Sequence, residues 1–126
     1  MSIVGIGIDI VEIARVKKSL DKFGNEFAKK ILHANEYKIY SNHKIKERYL
    51  AKRFAAKEAF AKALGSGIVA GVTLPKIEVV NDLNGKPELR LHGSVKNKMK
   101  TLEVKNDFLT ISDEKNYAVA QVILES

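Results

Sequence analysis

Two acids and a lysine in this sequence have the types and spacing to act together on a phosphate. Asp9 closes an apolar N-terminal stretch, and Glu58 precedes Lys62 by one helical turn. In the predicted strand from Ile3 to Val11, Val4, Ile6, Ile8 and Ile10 share one face, leaving Gly5, Gly7 and Asp9 on the other. An acid beside two missing side chains is either a cap or turn residue or a ligand for a cation. Glu58 follows Phe54 by one turn and borders the apolar stripe of Leu50, Phe54 and Ala61. A carboxylate there is partly desolvated and wants a counter-charge. Two outcomes stay open. One is an ordinary Glu58–Lys62 pair, worth about 0.2–0.5 kcal/mol on a helix surface. The other is a hard divalent cation shared by Asp9 and Glu58, with Lys62 facing the same phosphate. Magnesium is held by one or two carboxylates plus phosphate oxygens and waters, so two acids suffice.

Other groupings carry less chemistry. Gly5-Ile6-Gly7 begins like a dinucleotide-binding fingerprint, but that motif needs Gly or Ala where Ile10 stands. Gly65-Ser66-Gly67 lets backbone N–H groups approach a phosphate, although Gly65 is equally explained as a helix cap. Arg15, Lys18 and Lys22 form the basic outer face of an amphipathic helix, which is either solvated or offered to an anionic partner. His33, His43 and His92 have no metal-ligand spacing and read as surface or packing residues.

The elements that must position these side chains alternate in type. Ile13, Val16, Leu20 and Phe23 recur at helical spacing up to Gly24, a short helix is predicted over Glu26 to Leu32, and a long one runs from about Ile45 to Leu64, ended by Gly65. Beyond Gly71, Lys76 to Val80 and Pro87 to Leu91 flank a turn at Asn81 to Gly85. A helix over Gly93 to Leu102 then precedes a second strand pair, Asp107 to Ile111 and Tyr117 to Leu124. The predicted class is α+β, with an antiparallel or mixed sheet packed on a long helix and shorter helices.

Composition limits the partners. The 126 residues, 45% of them hydrophobic, suffice for one core, so one domain spanning residues 1–126 is expected. The absence of cysteine excludes disulfides, thiolate metal sites and thiol nucleophiles. Asp9 and Glu12 interrupt the N-terminal apolar stretch and no basic flank precedes it, so a cytoplasmic location without membrane partners is expected. A net charge of +7 predicts anionic partners: nucleic acid, phosphorylated cofactors or acidic proteins. A surface tracking single strands needs exposed aromatics among its cations, whereas Phe54 and Phe60 lie among alanines and read as core. Nucleic acid is therefore not the expected partner.

The stretch Gly5-Ile6-Gly7-Ile8-Asp9-Ile10-Val11-Glu12-Ile13, followed by the run from Arg53-Phe54-Ala55-Ala56-Lys57-Glu58 through Lys62 to Gly65-Ser66-Gly67-Ile68, resembles the holo-[acyl-carrier-protein] synthases. These are the small type of 4'-phosphopantetheinyl transferase. Asn84-Gly85-Lys86-Pro87 and Tyr117-Ala118-Val119-Ala120 extend the similarity over the chain. The resemblance implies that fold, and transfer of 4'-phosphopantetheine from coenzyme A to a serine of apo acyl carrier protein, releasing 3',5'-ADP in fatty acid biosynthesis. It implies Asp9 and Glu58 as magnesium ligands, with Lys62 neutralising the coenzyme A pyrophosphate. Arg53 would serve the nucleotide end, at its 3'-phosphate, and Gly65 and Ser66 a phosphate. Either Glu58 or a water on the ion would take the serine proton. Arg15, Lys18 and Lys22 would dock the acidic carrier, Arg15 foremost. A homotrimer with active sites at subunit boundaries is also implied. Asp113 stands where many family members carry His, so no imidazole role transfers to this chain.

Overall fold

The computed structural model describes residues 1–66 and 72–126. Strand β1 (Ile3–Glu12) leads into helices α1 (Ile13–Phe23), α2 (Asn25–Ile31), α3 (Ala34–Ser41) and the long α4 (Lys46–Ala63). A 3-10 turn (Leu74–Lys76) then opens β2 (Ile77–Asn81) and β3 (Pro87–Leu91), followed by α5 (Gly93–Thr101), β4 (Asn106–Asp113) and β5 (Tyr117–Glu125). Gly24 ends α1 at φ 63°, a conformation that side-chain-bearing residues rarely adopt. In the β2–β3 turn the Asp82 carboxylate accepts the N–H groups of Asn84 and Lys86 at 2.8 and 2.9 Å, which closes the hairpin.

Helix α3 is the element that sequence periodicity does not announce. It is stabilised at its start instead: His33 Nδ1 accepts the Asn35 N–H at 3.1 Å, and Glu36 Oε1 accepts the His33 N–H at 2.8 Å. This is a capping box built on an imidazole, where the usual signal is Ser or Thr.

Among the described residues the strands form two antiparallel sheets, β1-β5-β4 and β2-β3, where sequence reasoning expected one sheet that could be mixed. Helix α4 lies across the glycine face of β1. A Cβ at Gly5 would sit 1.8 Å from the Ala63 carbonyl oxygen, and one at Gly7 equally close to that of Ala59. Only glycine opposite alanine permits this approach. The isoleucines alternate to the far side, so Ile6, Ile8 and Ile10 are 56, 58 and 65% exposed. Phe23, expected on the buried stripe of α1, is also exposed. The core sits between the sheets and α4, around Leu50, Phe60, Ile77, Val122 and Leu124.

The rotation of α4 is fixed by a charge inside that core. Lys57 Nζ is fully buried and donates to Glu36 Oε1 at 2.5 Å, to the Ile31 carbonyl at 2.7 Å and to the Leu74 carbonyl at 3.2 Å. Glu36 Oε2 in turn accepts the Val79 N–H at 2.9 Å. Burial pulls the Lys57 ammonium below the usual lysine range, and the Glu36 charge opposes that pull. One side chain thereby ties α4 to α2, α3 and the 3-10 turn. Its neighbour Glu58, about 100° further round the helix, is left on a different face.

Candidate active site

Asp9 sits on the inner face of β1, paired in register with Ala120 of β5, whose small side chain leaves the carboxylate room. Glu58 projects from α4 toward the same space. Both line one pocket of about 350 Å³, together with Glu12, Arg15, Ser19, Phe27 and Phe54. Lys62 Nζ stands at the rim, donating to Asp9 Oδ1 at 2.9 Å and to the Ile8 carbonyl at 3.0 Å. The predicted helix pair is thus diverted: Lys62 bonds across to the strand.

Electrostatics shows how closely the acids are coupled. Burial first, and then the Asp9 charge, push the Glu58 carboxyl above the usual range, with Lys62 pulling the other way. The Asp9 charge thus raises the cost of ionising Glu58, a repulsion that a divalent cation between the two would relieve. An all-oxygen donor set with a lysine beside it suits magnesium and a phosphate.

The other predicted residues divide. Arg15 is exposed and lines the pocket, while Lys18 and Lys22 continue the exposed basic face of α1 away from it. Gly65 terminates α4 at φ 80°, and Ser66 is half-buried beyond it. Gly67 and Ile68 lie outside the described residues. Arg53 is not brought to the carboxylates. Five residues separate it from Glu58, about 140° around a helix, so it points elsewhere. Its Nη2 donates to Asn81 Oδ1 at 2.6 Å and its guanidinium lies 4.6 Å over the Tyr49 ring, leaving the residue 5% exposed. Its Nε approaches Glu36 Oε2 at 3.9 Å without a hydrogen bond. Its Nη2 thus reaches the exposed Asn81 rather than the carboxylate pocket.

Phe54, read from sequence as core, is half-buried and walls the pocket, whereas Phe60 is core. Glu12 and Ser19 escaped notice as site residues, yet Glu12 immediately precedes α1, and Arg15 and Ser19, one turn apart, share one side of that helix. Asp113 meets Arg48, whose Nη1 donates to Oδ2 at 2.8 Å and to the Glu114 carbonyl at 2.8 Å, with Lys52 Nζ at 3.9 Å. Two of the histidines are not isolated: His33 and His92 stack with ring centroids 4.5 Å apart against the buried Glu78.

Residues 5–122 match the profile of the 4'-phosphopantetheinyl transferase superfamily. The chain belongs to that superfamily. It is 53% identical to the holo-[acyl-carrier-protein] synthase of Aliivibrio fischeri (strain MJ11) over 126 residues, all of both chains. The crystal structure of a holo-[acyl-carrier-protein] synthase from Neisseria meningitidis superposes with a TM-score of 0.95 at 38% identity, covering 99% of this chain and 100% of that one. A synthase from Bacillus anthracis, solved in complex with CoA (3',5'-ADP), matches with a TM-score of 0.83 at 44% identity, covering 98% and 97%. The α+β architecture is therefore that of the 4'-phosphopantetheinyl transferases. Among the described residues no helix is long and apolar enough to cross a membrane.

Proposed function

We propose that this 4'-phosphopantetheinyl transferase is a holo-[acyl-carrier-protein] synthase. It moves the 4'-phosphopantetheine arm of coenzyme A onto a serine of apo acyl carrier protein, in the cytoplasm and in the service of fatty acid biosynthesis, as one domain spanning residues 1–126. The observation that carries the proposal is the convergence of Asp9 and Glu58 on one pocket with Lys62 at its rim. In the reaction a bond forms between the serine oxygen and the β-phosphorus. The bond from that phosphorus to the bridging oxygen breaks, and 3',5'-ADP leaves with that oxygen.

Each side chain has a defined task. Asp9 and Glu58 would hold a magnesium ion. When bound, that ion supplies Lewis-acid neutralisation of the diphosphate and a template for its orientation. Lys62 adds a fixed positive charge where negative charge accumulates on the departing ADP. Gly65 and Ser66, just beyond α4, would lie beside a phosphate, the Gly65 N–H being donated to the Lys62 carbonyl at 3.0 Å. The serine proton passes to Glu58 or to a water, and Phe27 and Phe54 keep bulk solvent from the reacting atoms.

Arg15, Lys18 and Lys22 would receive the acidic carrier, Arg15 at the pocket edge and the two lysines along the approach. The uncovered sheet face of Ile6, Ile8 and Ile10, with Phe108 and Tyr117 also exposed, supports assembly with further copies of the chain, as a homotrimer. Light scattering checks that stoichiometry.

The test is mass gain on a carrier protein. Wild-type chain incubated with coenzyme A, magnesium and apo acyl carrier protein adds the arm, seen by mass spectrometry. Glu58→Gln slows the rate by about a thousandfold, the equivalent of roughly 4 kcal/mol, with unaltered melting. Near-normal turnover in that variant removes Glu58 from both its roles.

A further inference from the structure

A second polar cluster lies outside the residues assigned to transfer. His33 precedes α3, Glu78 sits on β2 and His92 follows β3. Glu78 is 1% exposed, and its two oxygens are used differently. Oε2 accepts Asn35 Nδ2 at 3.2 Å, which orients the carboxylate, while Oε1 faces both imidazoles. His92 Nε2 is 2.9 Å from Oε1 and His33 Nδ1 is 3.8 Å away.

The protonation of His33 matters here. Its Nδ1 accepts the Asn35 N–H, so that nitrogen presents a lone pair and no proton. An ion bound between them would take that lone pair over from the Asn35 N–H and replace the 2.9 Å hydrogen bond between His92 Nε2 and Glu78 Oε1.

The spacing is close to that of a ligand set. One ligand atom from each of His33, Glu78 and His92 falls within 4.8 Å of the other two. A tetrahedral zinc ion with bonds of about 2.0–2.2 Å separates its ligands by about 3.3–3.6 Å, which the two measured separations bracket. The His33 and His92 side chains are 25 and 37% exposed, so the rings can splay from their stack and a fourth position opens to water. The backbone at both histidines is held: the His92 amide N–H donates to the Lys76 carbonyl at 3.0 Å, and the His33 amide N–H to Glu36 Oε1 at 2.8 Å.

We propose that His33, Glu78 and His92 form a binding site for one divalent transition-metal ion of the zinc class, separate from the oxygen-lined pocket of Asp9 and Glu58. Two imidazoles and one carboxylate select zinc, cobalt or nickel over magnesium and calcium. The bound ion ties the start of α3 to the β2–β3 hairpin and the start of α5.

The experiment is calorimetric titration of the full chain with zinc in saturating magnesium, which occupies any site of oxygen ligands. Two variants keep the fold: His33→Ser retains a capping oxygen for α3, and His92→Gln retains a donor for Glu78. Both are first checked by cooperative melting without metal. Wild type binds one equivalent with a dissociation constant on the order of 1 µM or tighter, and each variant weakens it by about tenfold or more. Cobalt gives the visible absorption of a four-coordinate ion in wild type and loses it in both variants. His43→Gln changes neither readout. The proposal is overturned if one-equivalent binding is absent, if neither variant weakens it, or if Asp9→Asn abolishes it instead.

Discussion

Two clusters of metal-competent side chains stand among the described residues, and they are built in opposite ways. Asp9 and Glu58 offer carboxylate oxygens from long regular elements, brought together because glycines on β1 let α4 settle directly on the strand. His33, Glu78 and His92 stand at element ends and on the smaller sheet, one of them doubling as a helix cap. The first arrangement follows from packing of the main core, while the second depends on the local geometry of a loop, a hairpin and a short helix. Glu36 connects them. Its Oε1 accepts the His33 N–H and the ammonium of Lys57, the residue before Glu58.

That connection gives the largest expected effect on the fold. Glu36→Gln leaves Lys57 buried without a counter-charge, and breaking such a pair costs about 3–5 kcal/mol. The melting temperature should fall by at least about 10 °C, with transfer activity and zinc affinity declining together. If only one of them falls, the clusters are not linked through Glu36. Gly7→Ala separates them instead. Its added methyl meets the Ala59 carbonyl, so β1 must move off α4 at a cost of about 1–3 kcal/mol. Transfer should drop while the zinc affinity of the folded protein stays at the wild-type value, as calorimetry and the mass assay can compare directly. Smallest is Arg15→Glu, which should raise KM for the carrier by about tenfold and flatten its salt dependence, leaving melting and zinc affinity unchanged. An unchanged KM and salt dependence would put carrier docking elsewhere.

The same contrast explains how much was legible in the sequence. The carboxylate pocket was approachable because β1 alternates with period two and α4 carries its alanines and acids with helical period, so face assignments brought Asp9 and Glu58 under suspicion. Even there, periodicity could not say which face of β1 is covered; the tightness of the α4 contact decides for the glycines and leaves the isoleucines bare. Phe54 looked like core because alanines flank it, yet the pocket needs a wall at that point. Arg53 looked available to a phosphate, and nothing in the spacing foretold that its guanidinium lies over the Tyr49 ring with Nη2 on Asn81. The histidine cluster left no trace in spacing. Its members come from separate elements, and α3 itself was hidden because its cap is an imidazole rather than a hydroxyl.

The central claim is that Asp9 and Glu58 grip one cation jointly, and manganese reports on this without turnover. Electron paramagnetic resonance of manganese titrated into the chain with coenzyme A present should show one tightly held ion in wild type and in the His33→Ser variant. In Asp9→Asn and in Glu58→Gln the free-ion signal should persist, with affinity weakened by about tenfold or more in each. Wild-type manganese affinity in either carboxylate variant would contradict the account.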